Sequence, residues 1–161
     1  MAFDMFIKIG ALKGESKDKV HKEEIDVLAW SWSLHNSGSA HVGGGTGSGK
    51  VSVSDLSFTK YVDKSTPDLA LACCNGKHYD KAVLTVRKAG EHPLEYLVIT
   101  MQHLIISSMS EGGSGGEDRL TENISLNFAT VKIDYKEQLE TGGAGAAPTM
   151  GWDIAANAAM S

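Results

Sequence analysis

Hydrophobic residues recur at every second position along most of the chain, which is the period of a β-strand with two different faces. In residues 4–9, for example, Met5, Ile7 and Ile9 share one face. Residues 25–35 alternate more regularly still. Their bulky apolar face holds Leu28, Trp30, Trp32 and Leu34, and their small, mostly polar face holds Ala29, Ser31, Ser33 and His35.

Two predicted strands change phase part of the way along. Val51 and Val53 lie on one phase and Leu56 and Phe58 on the other, which predicts a β-bulge near Ser54–Asp55. A similar change follows Phe128 in the segment 120–135. Further strands are predicted at 82–88, at 94–106, where nearly continuous apolar sequence predicts burial on both faces, and around 150–154.

One helix is predicted in the stretch STPDLALACCNGK. Thr66 is expected to cap it, Pro67 suits the first helical position, and Gly76 is expected to end it in a left-handed conformation. A face of Leu69, Ala72 and Cys73 would pack on a sheet. We therefore expect a mainly β fold in a single domain over 1–161, an antiparallel β-barrel of two packed sheets with one flanking α-helix.

Composition narrows the class of protein. Hydrophobic residues at 42% and charged residues at 22% are typical of a soluble domain, and there is no apolar run of about 18 residues for a membrane span. The net charge of −5 disfavours nucleic-acid binding, which requires a basic excess. The N-terminus lacks the pattern of a signal peptide. The adjacent Cys73 and Cys74 are expected to be reduced and buried rather than bridged.

Twelve of the eighteen glycines cluster in three segments, 43–49, 112–116 and 142–145. The first predicts an extended loop at 37–49, and the last predicts a flexible link at 142–148 to the terminal strand. Within the first, Gly44–Gly49–Lys50 comes within one residue of a phosphate-binding P-loop. Val51 stands where that motif needs a Mg²⁺ ligand, and a strand, not a helix, is predicted next. Nucleotide binding is therefore disfavoured.

No catalytic constellation emerges from the remaining residues. The six histidines lack metal-ligand spacing, and no serine lies in a G-x-S-x-G context. We predict no enzymatic activity, metal or cofactor. Three functional hypotheses remain open: a structural subunit of an assembly, a small-ligand-binding β-barrel without enzymatic activity, and a nucleotide-dependent enzyme that binds its nucleotide at residues 44–50. The small polar face within 27–35 argues against the ligand-binding barrel, which needs an apolar cavity.

Several sequence runs resemble the haemolysin-coregulated protein (Hcp) family, the tube subunits of bacterial type VI secretion systems. The resemblance extends in order over about residues 2–157. It is carried by DMFIKI (4–9), KGESKDK (13–19), EEIDVLAWSWS (23–33), GKVSVSDLSFTKYVDKSTP (49–67), RKAG (87–90), GGSGGEDRLTEN (112–123) and GWDI (151–154).

This resemblance implies a homohexameric ring with a central pore. Rings would stack into the inner tube, which a contractile sheath propels behind a spike protein, and the pore would hold small effector proteins. Assembly would take place in the cytoplasm, and export would follow without a signal peptide.

The resemblance also implies roles for particular residues. Ser31, with Ala29 and Ser33 on the same face, is expected to line the pore and contact cargo, whereas Trp30 and Trp32 pack in the core. Ring-to-ring or subunit contacts are expected at Gly43, Gly44, Gly45, Thr46, Gly47, Ser48 and Gly90.

Overall fold

The computed structural model describes residues 3–37, 50–90, 93–141 and 143–160. These residues form strands β1–β11 and the helix α1. In chain order the elements are β1 Phe3–Ile9, β2 Ile25–Asp26, β3 Ala29–Ser31, β4 Leu34–His35, β5 Ser52–Val53, β6 Leu56–Tyr61, α1 Thr66–Asn75, β7 His78–Lys88, β8 Glu95–Glu111, β9 Thr121–Tyr135, β10 Thr149–Asp153 and β11 Ala158–Ala159.

The strands pair antiparallel and close into a barrel, as predicted. β1 pairs with β7, β7 with β8, β8 with β9, β9 with β6, and β6 with β3. Closure comes from the segment 25–31, which begins beside β1 and ends beside β6. At the crossing, the Val27 N–H donates to the Met5 carbonyl (2.9 Å), and the next N–H, that of Leu28, donates to the Thr59 carbonyl (2.8 Å).

This crossing corrects the prediction of one continuous strand over 25–35. The segment forms three short strands, because its hydrogen-bond partner changes from β1 to β6 after Val27 and the alternation of faces is reset there. Trp30 and Trp32 pack against the core as predicted. Leu28 and Leu34, which were assigned to the same apolar face, are instead 39% and 48% exposed.

The two phase changes occur where they were predicted, but their structural causes differ. At Ser54–Asp55 the chain leaves a separate two-stranded sheet, β4–β5, and enters the barrel, so a strand break replaces the predicted bulge. In β9, Thr130 and Val131 are both buried. There β9 exchanges its neighbour, since its first half pairs with β6 and its second half with β10.

Side chains fill the barrel interior. Its fully buried apolar residues include Ile7, Ile9, Leu56, Leu84, Met101, Leu104 and Leu126. In the apolar run 94–106, the fully buried residues Ile99, Met101, Leu104 and Ile106 lie on this inner face, whereas the outward residues Val98 and Thr100 remain partly exposed. Burial on both faces was therefore an overestimate.

The helix α1 packs against β8 through the buried residues Leu69 and Ala72. Its N-cap is Ser65, one residue before the predicted cap, so Thr66 is the first helical residue. Gly76 ends the helix with φ of 68°, as predicted. Both cysteines are free thiols; Cys73 is half-buried, but Cys74 is exposed, contrary to the expected burial.

The glycine-rich stretch before the terminal strand is hydrogen-bonded back to the chain leaving β9. The Glu137 N–H donates to the Ala146 carbonyl (2.8 Å), and the Gly145 N–H donates to the Glu137 carbonyl (2.6 Å). The described part of the predicted link 142–148 is thus one arm of a hairpin. It leads into β10, which lies at the predicted place.

Candidate functional site

The outward sides of β3, β6 and β9 form one continuous surface of small polar side chains. The strand register places Ser31 opposite Ser57, and Ser57 opposite Ser125. Residues between these positions point into the core, as the alternation of a strand requires. This surface, together with its neighbours at one end, is here named the polar face and comprises Ala29, Ser31, Asp55, Ser57, Thr59, Ser107, Asn123, Ser125 and Asn127.

Hydrogen bonds between strands order the polar face. The hydroxyls of Ser57 and Ser125 are 2.8 Å apart, and the Thr59 hydroxyl donates to Oδ1 of Asn123 (2.6 Å). Ala29 and Ser31 border a shallow depression of about 170 Å³ beside these pairs. The surface therefore offers hydroxyl and amide groups in fixed positions without a deep cavity.

Asp55 supplies a carboxylate at one end of the polar face. Its Oδ2 accepts a hydrogen bond from the Ser107 hydroxyl (2.6 Å), and its Oδ1 accepts one from Nδ2 of Asn127 (2.8 Å). Asp55 thereby links the start of β6 to β8 and β9. Each carboxylate oxygen keeps unused acceptor capacity toward solvent, because an ionised carboxylate has about four acceptor sites.

The predicted cargo-contact residues are only partly brought together. Ala29 and Ser31 are exposed on β3. Ser33 is also exposed but lies beyond the end of β3, where its N–H donates to the Ser54 hydroxyl (2.9 Å). Trp32 points the other way and donates from Nε1 to the Ser54 carbonyl (3.0 Å).

Sequence reasoning missed the partners of Ser31 on the neighbouring strands. The alternating runs LSFTKY and TENISLN contain a signal, since Ser57, Thr59, Asn123 and Ser125 occupy the polar phase of each. Their position beside 29–31 depends on strand register, which the local pattern does not contain.

The predicted contact residues Gly43–Ser48 lie outside the described residues. Gly90, just after β7, is exposed, and a Cβ there would meet nothing within 4 Å. Lys50 is exposed and leads into β5, which pairs antiparallel with β4. The strand predicted after the glycine loop is thus confirmed, and with it the departure from P-loop geometry, which requires a helix there.

The strongly perturbed charges lie elsewhere, on the outer side of β1, β7 and β8. Nη2 of Arg87 is 2.6 Å from Oδ2 of Asp18, and this hydrogen bond holds the pKa of Asp18 well below its usual range. The imidazole of His21 lies between Glu24 (2.8 Å) and Glu95 (2.5 Å). Burial opposes protonation of this histidine, but the hydrogen bonds to Glu95 and Glu24 outweigh burial and raise the pKa of His21.

A second charged group lies inside the barrel. Lys60 and Glu122 are in direct contact, and both side chains are fully buried. Burial opposes ionisation of Glu122, yet the hydrogen bonds with Glu111, Lys60 and Thr66 outweigh burial and lower the pKa of Glu122. Neither residue reaches the polar face, because both occupy inward positions of their strands.

The arrangement of the polar face suits reversible hydrogen bonding to another molecular surface. Across the described ranges, no three or more histidine, cysteine, aspartate or glutamate side chains lie close enough together to hold a metal ion. Nor does any helix in that part of the chain have the length and apolar character to cross a membrane.

Comparison with known proteins identifies related chains. The family model described as "Type VI secretion system effector, Hcp" matches residues 6–135. Protein hcp1 from Pseudomonas aeruginosa is 63% identical over 159 residues, which cover 98% of each chain.

Solved structures agree with this relationship. The crystal structure of Hcp1 from Salmonella typhimurium has a TM-score of 0.82 and 42% sequence identity, and the match covers 99% of this chain and 100% of that one. A structure described as a type six secretion system protein has a TM-score of 0.93 at 30% identity, with the same coverage.

Proposed function

The chain belongs to the Hcp family of type VI secretion system proteins and is a structural subunit of the tube of that system; from this premise we propose that six copies close into a ring whose pore is lined by the polar face. Rings stack on one another to form the tube. Ser31 lines the pore and, with Ala29 and Ser33, contacts cargo.

The observation that carries this proposal is the chemistry of the polar face. Short hydroxyl and amide side chains are exposed or half-buried along three neighbouring strands and are ordered by hydrogen bonds such as Ser57–Ser125. Such groups exchange contacts with water and with another protein at little net free energy, since a typical hydrogen bond contributes about 1 kcal/mol. A wall of this kind holds a small effector protein reversibly and lets it go at the destination.

Strands with one unpaired side support the assembly of subunits into a closed ring. In the described part of the chain, the shortest strands are paired on one side only: β2, β4, β5 and β11 have two residues each, and β3 has three. An unpaired edge invites pairing with another chain, and a ring uses such edges without leaving any open. Contacts between rings or subunits then involve Gly90 and the loop residues Gly43–Ser48.

The remaining partners follow from the tube role. Stacked rings lie inside the contractile sheath and behind the spike protein, and the protein carries out no catalysis of its own. Subunits assemble in the cytoplasm and leave the cell through the apparatus. The filled interior, where Leu56, Leu84 and Leu104 are completely buried, disfavours a ligand-binding barrel.

The deciding experiment is the mass of the purified full chain in solution by light scattering, followed by negative-stain images of the same fraction. A particle of six subunits, seen as an open ring, is expected. A monomer that persists at high protein concentration contradicts the ring, although family membership stands.

A further inference from the structure

Residues 10–24 fold into a narrow hairpin that lies on the outer side of the barrel. Its two arms are joined by the Gly14 N–H, which donates to the Glu23 carbonyl (2.8 Å), and by the Glu23 N–H, which donates to the Ser16 carbonyl (2.9 Å). These residues are here named the outer hairpin. Near its tip, Oδ1 of Asp18 accepts the N–H groups of Val20 (3.0 Å) and His21 (3.1 Å).

The outer hairpin covers an aromatic residue that points away from the core. Phe6 lies on β1 between Met5 and Ile7, on the opposite phase from these core-facing residues, yet it is only 4% exposed. The His21 ring stacks on it with a centroid separation of 4.5 Å and an interplanar angle of 14°. The Arg87 guanidinium lies 5.1 Å from the Phe6 ring centre. Phe6 is thus buried outside the barrel interior, beneath the hairpin.

The two hydrogen bonds of His21 favour a charged imidazole. Nδ1 lies 2.8 Å from Glu24, and Nε2 lies 2.5 Å from Glu95. A carboxylate accepts hydrogen bonds but does not donate them, so an imidazole with a proton on each ring nitrogen satisfies a carboxylate on either side. We propose that protonated His21 acts as a latch that holds the outer hairpin on the barrel, and that loss of its proton in mildly alkaline solution frees the tip of the hairpin and uncovers Phe6.

The groups around His21 determine how the latch opens. Glu24 faces it from the hairpin, Glu95 from β8, and Phe6 from β1. Arg87 on β7 is engaged by Asp18 (2.6 Å) and by Asp4 on β1 (3.2 Å). The other cations of the hairpin tip and of β1 are exposed to solvent: Lys8, Lys17, Lys19 and Lys22.

Deprotonation removes one attachment of the hairpin and leaves others, among them the Asp18–Arg87 pair and the Lys64 N–H, which donates to Oε2 of Glu15 (2.8 Å). A neutral imidazole keeps one N–H, so one of its nitrogens then presents a lone pair to a carboxylate, and that contact becomes repulsive. The Asp18–Arg87 pair does not titrate in this pH range and continues to hold the arm before it. The freed segment is therefore confined to the residues that follow Asp18, up to Glu24.

Hydrogen–deuterium exchange of the full-length protein tests the latch. Protection is compared at about pH 6 and about pH 9, on either side of the histidine range, after correction for intrinsic exchange rates. We expect peptide 17–24 to lose about tenfold in protection at the higher pH, as for local opening of a short segment. Peptide 66–76 from α1 serves as the internal reference. Equal protection of 17–24 at both pH values overturns the proposal.

Variants separate the latch from a general effect of pH. Glu95→Gln keeps an acceptor but removes one charge, so the loss of protection is expected to move to lower pH. The matched control Glu117→Gln, in an exposed loop, should behave as wild type. An unchanged midpoint in Glu95→Gln contradicts the latch. His21→Gln should show low protection of peptide 17–24 at both pH values. If this variant does not fold, the pH dependence of protection in the wild type and in Glu95→Gln is sufficient to test the proposal. None of these outcomes depends on ring formation.

Discussion

Lys60 and Glu122 face each other across β6 and β9, and neither side chain is exposed to solvent. The ammonium also lies 3.0 Å from Oδ1 of Asp63, and the Thr66 hydroxyl donates to the Glu122 carboxylate (2.8 Å). The first residue of α1 is thereby tied to one end of the barrel interior. This end is held by ionic contacts, whereas the rest of the interior is apolar.

Removing one member of this pair should be strongly destabilising. Lys60→Met leaves the Glu122 carboxylate buried without its cation, and loss of one partner of a buried pair costs about 3–5 kcal/mol of unfolding free energy. Urea denaturation followed by circular dichroism measures the change. Lys22→Met, at an exposed position, should change the free energy by less than about 0.5 kcal/mol.

The double variant Lys60→Met/Glu122→Leu distinguishes the pair from simple packing. Apolar residues of similar volume remove both charges together, and such replacements are often neutral or stabilising. We expect the double variant to recover most of the stability lost by Lys60→Met, because Asp63 keeps its bonds to Ser65. A double variant as unstable as the single one would show that the contact geometry, not the uncompensated charge, determines the loss.

Much of the barrel follows from alternation alone. Strands β1, β6, β7, β8, β9 and β10 lie within or around the predicted segments, because one face of each contacts a common core. The same alternation even places Lys60 in phase with Phe58, and Glu122 in phase with Ile124. The charged pair is therefore present in the pattern but is recognisable only once β6 and β9 are known to be neighbours.

The errors share a physical cause. Segment 25–35 was predicted as one strand, since alternation carries no information about a change of hydrogen-bond partner such as the one after Val27. The polar face was predicted only at Ala29, Ser31 and Ser33 for the same reason. Its other strands come from distant parts of the chain, and register between distant strands is set by tertiary packing.

Gly14→Ala should loosen the outer hairpin. A Cβ at this position would lie 2.5 Å from the Glu24 carbonyl oxygen, which belongs to the backbone of the opposite arm and is not free to rotate away. We expect a loss of about 1–3 kcal/mol in unfolding free energy, typical of overpacking. Gly112→Ala is the control, because its Cβ meets nothing within 4 Å. Equal stability of the two variants in urea denaturation would contradict a rigid approach of the two arms.

The Asp18–Arg87 pair should contribute a pH dependence on the acid side. The folded pKa of Asp18 is depressed below the ordinary value of 3.8, so its stabilisation is present above that value and is lost as pH falls toward the folded pKa. Asp18→Asn keeps acceptors for the Val20 and His21 N–H groups but removes the charge. We expect it to lower the unfolding free energy by about 1.5 kcal/mol near neutrality, as for a hydrogen bond between charged groups.

That difference should shrink in acid. Denaturation of Asp18→Asn and wild type is compared from neutrality to below pH 3.8, where the wild-type carboxyl also begins to lose its advantage. Asp118→Asn, in an exposed loop, controls for the loss of one negative charge. A difference that stays constant with pH would mean that Asp18 acts through its backbone hydrogen bonds alone.

Ser31→Gln tests the pore wall. The longer side chain projects from β3, at one side of the polar face. An occupant that contacts Ser31 would have to move or lose contact there, at about 1–3 kcal/mol. We expect retention of a co-expressed small effector protein of the same secretion system to fall about tenfold or more while light scattering still detects rings. Ser114→Gln, in an exposed loop, should retain cargo as wild type does. Loss of the rings in Ser31→Gln would place Ser31 in a subunit contact.

The closing segment between β1 and β6 has a consequence for synthesis of the chain. Phe6 pairs with Thr85, and Phe58 pairs with Ile124, so the long strand partners of β1 and β6 lie far along the chain, and only the two-residue β2 pairs with β1 early. As the nascent polypeptide leaves the ribosome, its N-terminal strands emerge with their edges open, and such long-range pairing is slow and exposed to aggregation. β1 meets its long partner only when β7 is translated, and the barrel closes only when β9 has been released.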